Sequence, residues 1–500
     1  MAAGARVIDF PSALLWFLIL AAFGVAGIAS ALVLRFRARC YVALIGYDPR
    51  QDLVPDCLAD RVEVIAVRCT SEFVRIPPMA HSASAAYIEL DFRSTMLGQH
   101  LDPCLALAAG DGSLRMPIER GTRGRRLIPL TALLPQLLSS DGRIALHGRH
   151  LAWSSGWVRL HLVREAIARE DAILVVAPHP DDAEIAAYGL YEAFADQAHV
   201  LTITTGDVTT KPYSTNLGRE PLPRADVAQV RVADSLAAPL IAGIPSSRIG
   251  NLCYPDGELA ALRRAGEQGR PEDRAPERLP GRLRALNPDW IPRQAVKSWT
   301  SLVDDLVLVI ERLKPDVIVA PCPWIETHPD HVATAQAVCE ALLRAKRRDG
   351  QLLFYIVHPY FSEAHPLGPA GGPAPVPNMA GRTLPMPDAV FCQSLTPAQM
   401  ARKYCALEGM RDLRAIAGEA RPLAKAWLDL LRRTIRQLIL GRSHPDTDLL
   451  RRSIRSEEFF LVYSCTRAVA LVLGDRVAGE SGSRNGIPLD PETSKAAVAA

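Results

Sequence analysis

The sequence predicts an α/β protein: a mostly parallel sheet domain towards the carboxyl end, with a transmembrane helix and a β-rich, sandwich-like domain ahead of it. Three observations carry that prediction. From Asp171 onward, short apolar runs (Ile173 to Ala177, Val200 to Thr204, Arg248 to Leu252, Asp316 to Ala320, Leu352 to Val357) alternate with helical stretches, as parallel strands do when helices cover both faces of their sheet. Between about Tyr41 and Leu162 the segments are short, β-branched or alternating, and turn signals separate them. From Ala13 to Leu34 there is no charged residue. The alternating region, 171–473, is therefore expected to be Rossmann-like.

The uncharged run begins Leu14-Leu15-Trp16-Phe17-Leu18-Ile19-Leu20 and is long enough to cross a bilayer as a helix, which sets a span over 11–34. A cleaved leader is the competing reading, since Ala29-Ser30-Ala31 offers small residues. The segment before the run is poor in positive charge, however, and contains Asp9, and the apolar run is longer than a leader needs. Arg35, Arg37 and Arg39 follow the run and only Arg6 precedes it, so the positive-inside tendency places the bulk of this single-pass protein on the cytoplasmic side of a bacterial inner membrane. The 10 cysteines lack the tight spacings of a zinc ribbon or a disulfide scaffold, which favours a reducing compartment. With a net charge of +3 and dispersed basic residues, nothing marks a nucleic-acid surface.

Residues 41–165 form the β-rich domain. Val62 to Val67, Ala86 to Phe92 and Gly156 to Leu162 are its clearest strands, and Gly110-Asp111-Gly112 and Ser140-Asp141-Gly142 its clearest turns. It holds no catalytic constellation. Trp153 and Trp157 offer rings for sugar stacking, which makes a glycan-binding role the functional reading of this domain, against burial in a sandwich core as the structural one. Further along, Arg264 to Asn287 and His365 to Pro387 are rich in Pro and Gly and read as long surface loops. The tail, 475–500, is small and polar and reads as disordered.

The chemistry sits at two strand ends. His179-Pro180-Asp181-Asp182 follows Ile173 to Ala177, and His328-Pro329-Asp330-His331 follows Val317-Ile318-Val319-Ala320. Ligands at the carboxyl ends of parallel strands converge on one crevice, and imidazole with carboxylate is the donor set that zinc accepts. His179, Asp182 and His331 can supply three ligands, with Asp181 beside them as a general base and His328 as a polarising or proton-donating group. A helix N-cap at Asp182 or Glu184, or a structural histidine, would explain either cluster alone. Two clusters in equivalent positions make the metal reading the stronger one. Fe(II), Co or Mn remain alternatives to zinc.

Ala177-Pro178-His179-Pro180-Asp181-Asp182-Ala183-Glu184, followed downstream by His328-Pro329-Asp330-His331, resembles the paired signature of the PIG-L/LmbE-like zinc-dependent de-N-acetylases. Thr204-Thr205-Gly206-Asp207, the helix from Arg231 to Gly243 and Tyr254-Pro255-Asp256-Gly257 match supporting stretches. The resemblance implies His179, Asp182 and His331 as zinc ligands, Asp181 as the base for the attacking water, and His328 as the group that steadies the oxyanion and assists the leaving amine. Ala183 followed by Glu184, Tyr188 where glycine is usual, and Val208-Thr209-Thr210-Lys211 depart from the pattern, and these bear on substrate more than on chemistry. Arg231 with Asp234, and Asp256, have structural readings at least as good as substrate contact.

The expected function is a membrane-anchored hydrolase that removes N-acetyl groups from GlcNAc-type amino sugars in a lipid-linked glycan or polysaccharide. Deacetylation of a soluble glucosamine conjugate is the enzymatic alternative, and a non-catalytic glycan-binding assembly protein the other. Partners are the N-acetylated glycan or glycolipid and the membrane, with no nucleic acid.

Overall fold

The computed structural model describes residues 10–474 apart from 59–60, 79, 81–82, 138–140, 165, 209–221, 268–286, 293–296, 360, 363, 378–383, 411–412, 414–426, 429, 433 and 436–448. The expected disordered tail and most of the 264–287 loop lie outside the described residues.

Helix α1 (Phe10–Ile45) is longer than the expected 11–34 span, because Arg35, Arg37 and Arg39 are good helix formers and nothing before Gly46 ends the helix. It is long and apolar enough to cross a membrane, and none of its apolar stretch is buried. Its carboxyl-terminal end is packed. Tyr41 and Ile45 close on Ala364, and the Arg120 backbone N–H donates to Tyr41 Oη at 3.1 Å.

The β-rich domain contains β1 (Val62–Cys69), β2 (Phe73–Arg75), β3 (Ala85–Ser94), β4 (Cys104–Ala109), β5 (Gly112–Pro117), β6 (Arg123–Pro129), β7 (Arg143–Arg149), β8 (Leu151–Trp153) and β9 (Gly156–Val163). They make one antiparallel sheet, in the order β5-β4-β7-β2-β1-β9-β3-β6 with β8 on β3, where a sandwich of two sheets was expected. Met116 of β5 and Ile128 of β6, from opposite ends of that path, share one apolar cluster, so the sheet curls back around its own core. Trp153 is partly buried, edge-on to Phe92, and donates to Thr70 O at 3.0 Å. Trp157 is 72% exposed and is the tryptophan left facing solvent on this sheet.

The second domain runs β10 (Ile173–Ala177), α2 (Asp182–Ala193), β11 (Ala198–Thr204), α3 (Arg224–Ala237), β12 (Ile249–Tyr254), α4 (Leu259–Glu267), α5 (Trp299–Leu313), β13 (Val317–Pro321), α6 (Pro329–Arg344), β14 (Gln351–Tyr355), β15 (Ala389–Ser394), α7 (Pro397–Gly409), β16 (Glu457–Ser464) and α8 (Cys465–Leu473). Its sheet has the order β12-β11-β10-β13-β14-β16-β15. The five strands expected from the sequence are the five that pair in parallel. The sheet is nevertheless mixed, because β16 lies antiparallel between β14 and β15. All five residues of β10 are buried, as a strand covered on both faces requires. Tyr87, Leu127 and Val163 of the β-rich sheet join the same apolar core. The 365–387 segment is held rather than loose where it is described: Arg455 donates to Pro366 O and Gly368 O at 2.8 and 2.7 Å.

Helix α2, which starts at the first histidine cluster, is interrupted at Ala187 (φ −137°, ψ 16°). The break turns the Gly189 and Leu190 N–H groups onto the Glu458 carboxylate of β16, at 3.0 and 3.1 Å. Lys403 of α7 completes the arrangement, donating to Glu458 Oε1 and to Ile185 O, both at 2.8 Å. Both charged groups are buried, so removing one leaves the other uncompensated. Lys403→Met is expected to destabilise the fold by about 3 kcal/mol. Combined with Glu458→Gln it should cost less than the sum of the single changes in a double-mutant cycle followed by thermal unfolding.

Candidate metal centre

Strands β10 and β13 are parallel neighbours, with Ile173 beside Val317. From β10 the chain turns to β11 and β12 on one side of the sheet, while β13 leads to β14 on the other. This is a topological switch point, and the crevice lies beyond the carboxyl ends of the two strands. Both clusters emerge there and each passes directly into a helix, α2 at Asp182 and α6 at Pro329.

Asp182 joins them. It has no exposed surface, and its Oδ2 lies 3.1 Å from His179 Nδ1 and 3.1 Å from His331 Nε2. Ligands on adjacent corners of a tetrahedron with bonds of 2.0–2.1 Å are separated by about 3.3 Å. The expected ligands His179, Asp182 and His331 are thus brought together. His179, His328 and His331 have ring nitrogens within 4.8 Å of one another, and so do Asp182, His331 and His358 in their ligand atoms. Asp182 does not act as a helix cap, since its carboxylate accepts from the His179 backbone N–H at 2.9 Å.

The far nitrogen of each histidine meets another carboxylate. His179 Nε2 lies 3.2 Å from Asp256 Oδ1 and 3.4 Å from Asp330 Oδ2, and His331 Nδ1 lies 3.1 Å from Glu326 Oε2. Such outer carboxylates orient a metal-binding imidazole and select its tautomer. They are fixed in turn: Asp330 accepts from Gly257 N (2.7 Å) and Leu259 N (3.0 Å), Asp256 from Val208 N (2.8 Å), and Glu326 from His358 N (2.9 Å) and Val357 N. The sequence reading missed Glu326, Asp330 and His358 as site residues, and gave Asp256 only a turn or a sugar contact. A carboxylate five residues before His331 was the available signal for Glu326.

The donor set fits a divalent cation. Asp182 Oδ1 is buried without a hydrogen-bond partner, and the two ring nitrogens of His331, though close to carboxylates, make no hydrogen bond of proper geometry. Asp181, Asp182, Asp256, Glu326 and Asp330 surround the histidines, with Arg231 as the neighbouring permanent cation. Burial opposes charge on the two imidazoles, yet Asp182, Asp256 and Asp330 hold His179 well above its ordinary value, and Asp182 and Glu326 lift His331 to about 9. Protons on these rings balance a charge that a metal would otherwise balance.

The remaining predicted residues lie alongside. Arg231 of α3 donates to Asp181 Oδ2 at 3.3 Å and to Gly206 O at 3.2 Å, so this arginine reaches the expected base. Gly206 (φ 65°) has to be glycine, because a Cβ there would stand 2.5 Å from Pro180. His328 caps α6, its Nδ1 accepting from the Asp330 N–H at 3.3 Å, which leaves the proton on Nε2. Burial, with His179 and His331 nearby, pushes His328 down to about 4. It is therefore a neutral N–H donor at pH 7. Glu184 is buried against Tyr191 Oη at 3.2 Å.

Zinc uptake by the chelator-stripped protein at pH 7.5 is expected to release about two protons per ion, from His179 and His331. Above pH 9 the number falls towards one, because His331 has already lost its proton. Calorimetry in buffers of different ionisation enthalpy measures this, and Asp182→Asn should weaken uptake at least 100-fold, on the order of losing a ligand.

Residues 174–342 match the family model PIG-L, described as GlcNAc-PI de-N-acetylase. No curated protein matches the chain. Among solved structures, it is similar to the N,N'-diacetylchitobiose deacetylase of Pyrococcus horikoshii, at 17% identity and a TM-score of 0.33 over 59% of this chain and 85% of that one. A conserved protein of Thermus thermophilus is similar at 20% identity and a TM-score of 0.29, over 58% and 94%. The 4-carboxy-2-hydroxymuconate hydratase of Pseudomonas putida is similar at 15% and 0.30, over 58% and 95%. The segment that carries both histidine clusters is the one that matches the PIG-L family model, residues 174–342.

Proposed function

We propose that this chain is a membrane-anchored, metal-dependent hydrolase that removes the N-acetyl group from a GlcNAc-type amino sugar in a lipid-linked glycan or polysaccharide. The observation that carries the reading is the meeting of two histidine clusters around the buried carboxylate of Asp182, inside a segment matching a GlcNAc-PI de-N-acetylase family model. His179, Asp182 and His331 are assigned as ligands, with zinc the first choice for a mixed imidazole and carboxylate set. Bound there, such a cation supplies Lewis acidity towards the acetyl carbonyl and its attacking water.

The chain's own groups do the rest. Asp181, steadied by Arg231, takes a proton from the attacking water. His328, neutral and protonated on Nε2, donates to the carbonyl oxygen as negative charge gathers there. The proton held by Asp181 then serves the departing amine, with His328 still on the oxygen. Acetate and a free amino sugar result. Helix α1 supports membrane attachment through its exposed apolar run, and Arg35, Arg37 and Arg39 favour the cytoplasmic side for the domain.

Acetate release from GlcNAc-containing lipid-linked and polymeric glycans by the zinc-loaded full chain tests this. Asp181→Asn is expected to slow it by about 10²–10⁴. Undiminished release by that variant, or none from any N-acetylated sugar by the folded, metal-loaded protein, would sink the reading. A carboxyl-terminal reporter that works only in the cytoplasm is expected to be active, and activity of a periplasm-dependent reporter reverses the assigned side.

A further inference from the structure

A cavity of 870 Å³ opens where α1 meets the β-rich domain, and Arg37, Arg39, Arg50, Arg93, Arg120 and Arg123 line it. Two of these cations are neutralised, Arg50 by Asp48 at 2.8 Å and Arg120 by Asp102 at 2.7 Å. Among the described residues, no carboxylate lies within ion-pair distance of Arg37, Arg39, Arg93 or Arg123. Arg93 and Arg123 are directly opposed on β3 and β6, a cross-strand pairing of like charges that is unfavourable unless an anion sits between or beside them. Arg37 Nε and Ser94 Oγ, both at this cavity, are buried without hydrogen-bond partners.

The surroundings are amphiphilic. Arg37 comes three residues after the last apolar residue of the uncharged run, about 4.5 Å further along the helix axis, which is headgroup depth if that run fills the hydrocarbon core. The turn that supplies Gln99 and His100 to the cavity also carries Met96, Leu97 and Leu101, which are 85%, 59% and 46% exposed. An aqueous anion would have no use for that apolar rim, whereas a lipid would use both parts.

We propose that this cavity binds the phosphate headgroup of an anionic membrane lipid, with Arg37, Arg39, Arg93 and Arg123 on the phosphate oxygens and Met96, Leu97 and Leu101 against the acyl chains. The proposal rests on α1 spanning the bilayer and does not depend on the hydrolase reading. Arginine suits this role because its planar fork holds two phosphate oxygens at once.

The test uses the full chain in a phosphatidylcholine nanodisc, titrated calorimetrically with dihexanoyl-phosphatidic acid, dihexanoyl-phosphatidylcholine or inorganic phosphate. Saturable binding of the phosphatidic acid is expected, at least tenfold tighter than either comparison ligand. In R93Q/R123Q it should weaken about 30-fold, as loss of two charge-assisted contacts implies, with thermal stability undiminished because a like-charged pair has gone. That variant should keep the wild-type rate of acetate release from a soluble GlcNAc substrate, so failure here and failure of the hydrolase reading are separable. Phosphatidic acid binding no better than phosphatidylcholine, or equally well to R93Q/R123Q, overturns the site. Inorganic phosphate binding as tightly as phosphatidic acid overturns the lipid in favour of a soluble anion.

Discussion

Asp182 is a carboxylate with no access to water, held between ring nitrogens of two histidines that come from different strands. Most of the second domain is arranged by what that requires. A buried carboxylate must be compensated within a few ångströms, and the compensating groups arrive only because β10 and β13 are adjacent, parallel and in register. A one-residue slip would turn every side chain of β10 to the opposite face and would part Asp182 from His331, which now lie 3.1 Å apart. The break in α2 at Ala187 and its repair by Glu458 and Lys403 fix the helix that carries Asp182. Groups remote from the crevice therefore set its geometry.

Charge explains why the site has a second layer. Two histidines and one aspartate are a small donor set, but five carboxylates surround the crevice with Arg231 beside them, and without a metal the balance falls to protons on His179 and His331. Asp256 lies on the connection after β12, Glu326 on the one after β13 and Asp330 in the first turn of α6, and each is also fastened by backbone N–H groups. These carboxylates thus do two things: they aim the imidazoles and tie the loops to each other. His328 differs because, among the described residues, no carboxylate is hydrogen-bonded to its ring, and a backbone N–H fixes its tautomer. That environment suits an uncharged donor better than a ligand.

The five parallel strands and the two histidine clusters that meet beyond them were legible because each depends on local pattern: an apolar run, then His and Asp within four residues. The two antiparallel strands were not. β15 emerges from a Pro-rich stretch, and β16 opens on Glu457 and Glu458, which look like surface residues until Lys403 and two backbone N–H groups are seen to meet Glu458 and the Ala374 N–H to meet Glu457. The sandwich expectation failed for a related reason. Alternation along a strand reports one buried face, and it says nothing about whether the strands close into one curled sheet or two facing ones. Glu326, Asp256 and His358 were invisible as a set because they lie on separate loops of the crevice, and only the fold brings their spacing down to hydrogen-bond length.

The arginine cavity makes the same point about charge. Along the sequence the basic residues are dispersed and the net charge is only +3, which argues against a polyanion surface. The fold nevertheless gathers arginines from the end of α1, from β3 and from the segment leading into β6 into one place. It also gathers carboxylates from the three connections that follow β10, β12 and β13 into another. A nearly neutral chain thereby holds one strongly anionic crevice and one strongly cationic cavity, and each needs a partner of opposite sign to be stable. The cationic cavity adjoins the base of an exposed apolar helix, and on the proposed membrane placement phosphate headgroups supply that partner, with the anionic crevice in the domain beyond it. On that placement the helix end, packed on both domains through Tyr41 on Arg120 and on Ala364, sets the orientation of the crevice relative to the bilayer surface.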